Sequence, residues 1–461
     1  MKDFQEPNFW HSVICFGGVI VTVIAGLLWL GISLHSLLLT ALVWVAGHAV
    51  FIGFQFKEIK FAMISGIEKG LGAIFIFFLI GVLVAALIES GTIGGLIYYG
   101  VDLLHPVIFL PAGLVLCSLM SLATGTAWGT IATIGVVLMG LGAALSMPLP
   151  LVAGMVVSGA SFGDKMSPVS DTTNLAAMSA GTDLYSHIKS MMYTTVPTYI
   201  ICVIAFTLVG LYYSGQALSP SELIELKQYL ATEFRINPLT LLPLIVLLIF
   251  SLKQTPAEVS MLASVAAAVL LAVFMQDRIV TEVLNSLHVG YIADTGVEQL
   301  DVLLSRGGIE SMMWTMSLAL LALSLGGILD RAGFVRVLMS GLLRRIKRSA
   351  SLIATTIGTG VVANMSMGEG YLSIIFGGQL FKDSYEEDKL EKHMLSRCLE
   401  EGATLSTSLI PWTTSGAFIT GVIGMSPLEY APWAFFNYIN PLLSIALAYM
   451  GFGIFRQNRG R

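Results

Sequence analysis

The chain has 461 residues, 56% of them hydrophobic and 11% charged, with a mean hydropathy of +0.83. A soluble domain carries roughly 25% charged residues, so the composition excludes an ordinary water-soluble protein and reads as an all-α polytopic membrane protein. The small net charge of −5 supports no nucleic-acid partner; the expected surroundings are a lipid bilayer.

Apolar runs near the ~20-residue spanning length fall at 9–28, 31–54, 71–88, 107–123, 127–146, 150–180 and 190–213. A second set follows at 238–252, 257–275, 312–330, 350–365, 371–381, 394–425 and 434–455. The first run, from Phe9 to about Trp29, is long enough to span, and no A-x-A cleavage site follows it, so it reads as a span rather than a signal peptide. Cys15, Cys117, Cys202 and Cys398 stand alone in or beside apolar runs, without metal-ligand spacing, and are expected as buried small hydrophobes. Between the two sets, 214–237 forms an external linker in which Ser219-Pro220-Ser221-Glu222 opens a short amphipathic helix.

The two sets resemble each other at an offset of 243 positions. Gly125 then falls on Gly368, Gly135 on Gly378, Pro168 on Pro411, and Ser170-Asp171-Thr172 on Thr413-Thr414-Ser415. We therefore expect two repeats, 1–213 and 238–461. Each holds five crossings, a re-entrant hairpin (about 107–146 and about 350–381) and a broken helix (about 150–180 and about 394–425). An odd number of crossings inverts the second repeat relative to the first. The basic residues fit that topology with both chain ends inside: Lys57, Lys60, Lys69, Lys189, Lys253, Arg331, Arg336, Arg344, Arg345, Lys347, Arg348, Arg456, Arg459 and Arg461 are expected on the cytoplasmic side.

The most informative stretch is Gly163-Asp164-Lys165-Met166-Ser167-Pro168-Val169-Ser170-Asp171-Thr172-Thr173-Asn174. A charge inside hydrocarbon costs about 2.5–3.5 kcal/mol on insertion scales, so such groups face a partner or a watery cavity. Pro168 between Asp164 and Asp171 argues that the backbone leaves the helix there, frees carbonyls, and gathers Ser167, Ser170, Thr172, Thr173 and Asn174 around one point. Hard cations take carboxylate, hydroxyl and carbonyl oxygens together, so Asp164 and Asp171 are the expected Na+ ligands. The plain alternative is an Asp164–Lys165 or Asp–backbone link that merely stabilises the break. Thr124 and Thr126 at one hairpin tip, and Asn364, Ser366 and Glu369 at the other, are expected to approach the same point. Thr404, Thr407, Thr413 and Thr414 form a hydroxyl cluster without acids that mirrors the first motif.

Glu89 and Asp330 lie at span ends and are expected to face water. Asp183, Glu400 and Glu401 read as solvated near the cytoplasmic surface, and His105, His187 and His393 as lying near water boundaries. No zinc-protease H-E-x-x-H, nucleophile elbow or recognisable pair of catalytic acids occurs, so a membrane enzyme is disfavoured. Repeated broken helices also suit alternating access better than an open pore.

Residues 163–176, with the Thr-Gly-Thr-Ala-Trp tip at 124–128, resemble the signature of the NhaC family of Na+/H+ antiporters within the ion transporter superfamily. The resemblance implies a secondary transporter of the bacterial inner membrane, commonly a homodimer, with a scaffold and a moving transport unit. It implies Na+ and H+ as cargo and no cofactor. The family also includes Na+/H+-coupled exchangers of small carboxylates such as malate and lactate, and amino-acid carriers. A small organic anion or amino acid held by Thr124, Thr126 and the 404–415 hydroxyls is therefore the second expectation.

Overall fold

The computed structural model describes residues 6–103, 106–213, 220–253, 255–293, 301, 305–343, 346 and 348–457. His105, Arg344, Arg345, Lys347, Arg459 and Arg461 lie outside the described residues. Among those described, seven helices are long and apolar enough to cross a membrane, or up to nine if each bent pair counts as one span. The chain is an all-α polytopic membrane protein.

The outermost and innermost helices separate by burial. Only 28% of the apolar window of Phe9–Leu28 is covered by protein, whereas 72% of that of Gly308–Arg331 is. A helix apolar all round but covered on one side presents its remaining face to lipid. Gly308–Arg331 packs along Phe56–Glu89, the longest helix. Their contact depends on small residues: a Cβ on Gly327 would strike the carbonyl oxygen of Ala62, and one on Gly66 the carbonyl oxygen of Leu323. Close backbone approach replaces the hydrophobic drive that lipid does not supply. Around this pair, Leu34–Phe51 packs on Gly308–Arg331, while Ala257–Phe274 packs on Phe56–Glu89.

The remaining helices repeat with a constant register. The hairpin arms Pro106–Thr124 and Ser349–Met367 each have 19 residues and start 243 positions apart. The return arms begin at Ala127 and Gly370, and the interrupted helices at Leu149 and Lys392. After each interruption come Asp171–Ala180 and Thr414–Ile423, ten residues apiece, closed by the left-handed glycines Gly181 and Gly424. All of these pairs share the 243-residue offset seen in the sequence.

Each hairpin tip is a single glycine in left-handed geometry followed by a capping side chain. Gly125 (φ +70°) precedes Thr126, whose hydroxyl accepts from the Gly129 amide; Gly368 (φ +68°) precedes Glu369, whose carboxylate accepts from the Leu372 amide. A helix leaves its first amides without partners, and these side chains supply them. The interruptions are capped in the same way, by Ser170 on the Thr173 amide and Thr413 on the Gly416 amide.

Several expectations are corrected. The span placed at 71–88 is part of a 34-residue helix beginning at Phe56, which also carries Lys57, Lys60 and Lys69. Hydropathy hides its first turns because they alternate charge with buried Ile59 and Ala62. The first interruption is short: Asp164 still belongs to the last turn of Leu149–Met166, Asp171 begins the next helix, and only 167–170 leaves helical geometry. Glu89 does not face water; it is 6% exposed, 3.9 Å from Arg278, whose guanidinium also meets Glu233 at 2.7 Å. His187 is fully buried in the first turn of Leu184–Tyr213, a helix that begins earlier than its apolar run. All four cysteines are buried and free, as expected.

Replacing Gly327 by Ala is expected to lower stability by roughly 1–3 kcal/mol, since backbone must move to admit the methyl group. Gly17→Ala, which meets nothing within 4 Å, is expected to be neutral. Thermal unfolding of the purified protein in detergent reads the difference.

Candidate functional site

The two tips and the two interruptions meet. A Cβ on Gly125 would lie 3.0 Å from the Ser170 amide nitrogen, so the first tip rests against the first interruption. The Ser167 hydroxyl ties that interruption to its hairpin through the Leu122 carbonyl at 2.8 Å. In the second half the Thr414 amide donates to the Gly368 carbonyl at 2.8 Å. The halves also cross-link, because the indole of Trp128 donates to the Ser415 hydroxyl at 3.1 Å and stacks on Phe418 with ring centroids 4.6 Å apart.

These elements enclose most of a cavity of about 600 Å³. Of the residues singled out from sequence, Thr124, Thr126, Asp164, Ser170, Asp171, Thr172, Glu369, Thr404, Thr407 and Thr414 line it. Asp164 is 9% exposed and Asp171 is exposed, so the two acids differ in burial. Among the described residues no lysine or arginine pairs with Asp164. Glu369 is buried but not unpartnered, since it caps its own helix. The cavity wall carries four acids, Asp164, Asp171, Glu258 and Glu369, against one lysine, Lys69, whose ammonium is 2.9 Å from Asp330. The balance of charge favours a cation.

The other sequence candidates hold backbone instead. Thr173 donates to the Lys165 carbonyl at 3.1 Å, and Asn174 to the Ser170 and Pro168 carbonyls at 2.8 and 3.0 Å. Asn364 reaches the Ala403 carbonyl and the Ser406 hydroxyl, Ser366 the Val362 carbonyl, and Thr413 the Ile410 carbonyl. With Ser167, they keep the breaks satisfied rather than face the cavity.

Behind the cavity lies a cluster that the sequence reading placed in water. Lys165, Glu400 and Glu401 are fully buried and Arg397 is 1% exposed. Lys165 turns away from Asp164: its ammonium donates to Asn440 Oδ1 at 2.6 Å and stands 3.7 Å from Glu401. Glu401 also accepts from Thr194 at 2.5 Å, and Arg397 Nε lies 4.0 Å from it one helical turn away. Asn437 bridges the halves, donating to Ser161 and Ser408. The readable signal was the four-residue spacing of Arg397 and Glu401 on one helix face, opposite a lysine in need of a partner. No group of three or more His, Cys, Asp or Glu able to hold a metal occurs among the described residues.

Interrupted helices and capped tips around an acidic cavity in an apolar helical protein define a membrane transport protein. The profile of the Na+/H+ antiporter family matches residues 8–173 and 159–452, and the chain belongs to that family. It is 35% identical over 452 residues to the Na+/H+ antiporter NhaC of Alkalihalophilus pseudofirmus, covering 98% of this chain and 97% of that one. It is 32% identical to the malate-2H+/Na+-lactate antiporter of Bacillus subtilis (98% and 96% covered). It is 31% identical to the arginine/ornithine antiporter ArcD of Halobacterium salinarum (99% and 96%).

Lys165→Met removes the nearer of the two cations beside buried Glu401, leaving Arg397 at 4.0 Å, and is expected to cost about 3–5 kcal/mol. Adding Glu401→Gln should recover part of that loss, measured as thermal stability of the single and double variants in detergent.

Proposed function

We propose that this protein is a secondary active transporter that exchanges Na+ for H+ across a bacterial inner membrane by competition of the two ions for Asp164. The observation that carries this reading is the carboxylate of Asp164, nearly buried at the wall of an acidic cavity and unpaired with any described cation. A bare carboxylate in that position is costly, so it is occupied either by a proton or by a cation. Asp171, the Ser170 and Thr172 hydroxyls and the hydroxyls of Thr124 and Thr126 line the same space and complete an oxygen shell. If the transport unit crosses only when the site is filled, entry of one ion and exit of the other are coupled.

In this account the hairpins and interrupted helices move against a scaffold built on Phe56–Glu89 and Gly308–Arg331, and the 243-residue repeat is an inverted one. Lys189, Lys253, Arg331, Arg336 and Arg456 support a topology with both chain ends in the cytoplasm by the positive-inside rule. The activity is transport rather than enzymatic turnover.

A second reading rests on the cavity size. About 600 Å³ far exceeds the volume of a sodium ion and falls within the roughly 300–1,000 Å³ of small-molecule sites. The relatives named for malate, lactate, arginine and ornithine make an organic co-substrate the alternative. Four wall acids disfavour a dicarboxylate and favour an amino acid bearing positive charge, with Trp128 and Tyr371 as aromatic walls.

In proteoliposomes with an internal pH reporter, Na+ alone should drive proton movement; a requirement for an added organic solute as well as Na+ would select the second reading. Asp164→Asn is expected to reduce the flux to background while leaving membrane insertion intact. Asp171→Asn should instead raise the half-saturating Na+ concentration roughly tenfold, corresponding to about 1.4 kcal/mol. Undiminished exchange in the Asp164 variant would remove that residue from the mechanism.

A further inference from the structure

We infer that Arg306 is a positioning residue for alternating access: its guanidinium clasps the end of Thr414–Ile423 and holds the site open toward the opposite end of the molecule. The inference rests on the reading in which hairpins and interrupted helices move against a scaffold, and deepens it by naming a contact that the movement must break.

The cavity reaches solvent near Lys69, whose side chain is 40% exposed and which lines the wall with Ser251, Thr255 and Glu258. Farther along Phe56–Glu89 the way is shut. Ala85 lies about 24 Å from Lys69 along that helix at 1.5 Å per residue, and every residue from Leu83 to Gly95 is buried. Phe77, between the two levels, packs against Trp128 and Phe418 with ring centroids 5.9 and 6.0 Å away. The later turns of Thr414–Ile423 run into this closed end. A Cβ on Gly421 would lie 2.8 Å from the Thr315 hydroxyl and 3.0 Å from the Met312 sulfur, so the helix packs closely on Gly308–Arg331. Met312 in turn lies against Gly81 of Phe56–Glu89.

Arg306 stands where that helix ends. Its Nη1 donates to the Ile423 carbonyl at 2.5 Å, and a Cβ on Gly424, the left-handed residue that follows, would lie 3.4 Å from its Cζ. The last carbonyls of a helix lack amide partners and form its negative end, so a guanidinium there supplies both a donor and a charge. The backbone behind Arg306 is wedged into the scaffold. Gly307 and Gly308 both have left-handed φ, +82° and +79°, and Cβ atoms there would strike the backbone nitrogens of Ala85 and Gly290 at 2.4 and 2.2 Å. The Tyr291 amide donates to the Arg306 carbonyl at 3.2 Å and pins the loop further. A guanidinium anchored to the scaffold and bonded to the transport unit must release before the closed end can open. A hydrogen bond from a charged donor biases the ratio of the two states by roughly ten- to a hundredfold.

Thiol accessibility of the full chain in sealed vesicles tests this. Ile423→Cys places a buried thiol beneath the clasp, and Val169→Cys, at a position 37% exposed, reports from the cavity wall. A charged, membrane-impermeant thiol reagent is applied from the closed side for the first and from the open side for the second. The parent chain, whose four cysteines are buried, gives the background. Arg306→Ala is expected to speed modification at position 423 by about tenfold or more, while modification at position 169 does not rise. Arg306→Lys, which keeps a charged donor, is expected to stay near the parent rates. An unchanged rate at position 423 overturns the inference, and so does a rise at both positions, because general loosening speeds both. Arg306→Gln carries the same comparison if Arg306→Ala does not insert. Absence of any Na+-driven proton movement in the unmodified protein would instead overturn the exchange reading, since thiol access reports the movement and not the cargo.

Discussion

Interrupting a helix inside a membrane exposes peptide groups that hydrocarbon cannot satisfy, and the surrounding structure answers that constraint. Four helices begin in the middle of the molecule, and each begins at a polar cap: Thr126, Ser170, Glu369 and Thr413. The neighbouring carbonyls are taken by Ser167, Thr173, Asn174 and Asn364. Polar side chains gather there because the backbone needs them, and a cavity lined by hydroxyls and acids follows.

The buried charges divide into two sets by the same reasoning. Lys165, Arg397 and Glu401 compensate one another across the two halves, together with Asn440 and Thr194, and act as a fixed support behind the cavity. Removing Glu401 leaves two buried cations without their shared partner, so the set reads as structural even though it lies beside the site. Asp164 has no such cationic partner among the described residues and lines the cavity, which under the proposed exchange leaves its charge to the cargo. A transporter requires both: a scaffold of settled charges and a small number left to the cargo.

The placement of the site was legible because its signals are local. Glycine, proline and hydroxyl residues interrupting apolar runs marked both tips and both breaks, and the 243-residue offset recurs in the helix starts. Membership of the Na+/H+ antiporter family follows the fourteen-residue motif. What escaped was long-range. Asp164 and Lys165 are adjacent in sequence yet face different partners, because successive residues on a helix point about 100° apart. Glu400 and Glu401 stood near the start of an apolar run and read as solvated. The packing of Ser349–Met367 and Gly370–Glu387 against that segment, with Phe435–Tyr449 beside it and Thr194 reaching Glu401, makes them buried. Likewise Thr173, Asn174 and Asn364 carry the chemistry of ligands but spend it on backbone, a choice that depends on rotamer and not on residue type.

Calorimetric titration of Na+ into the purified protein, in buffers of different ionisation enthalpy at several pH values, tests the central claim most directly because it counts protons released for each Na+ bound. The account predicts proton release that grows as pH falls, and its loss, together with loss of Na+ binding, in Asp164→Asn. Sodium binding that releases no protons at any pH, or that persists unchanged without the Asp164 carboxylate, would contradict it.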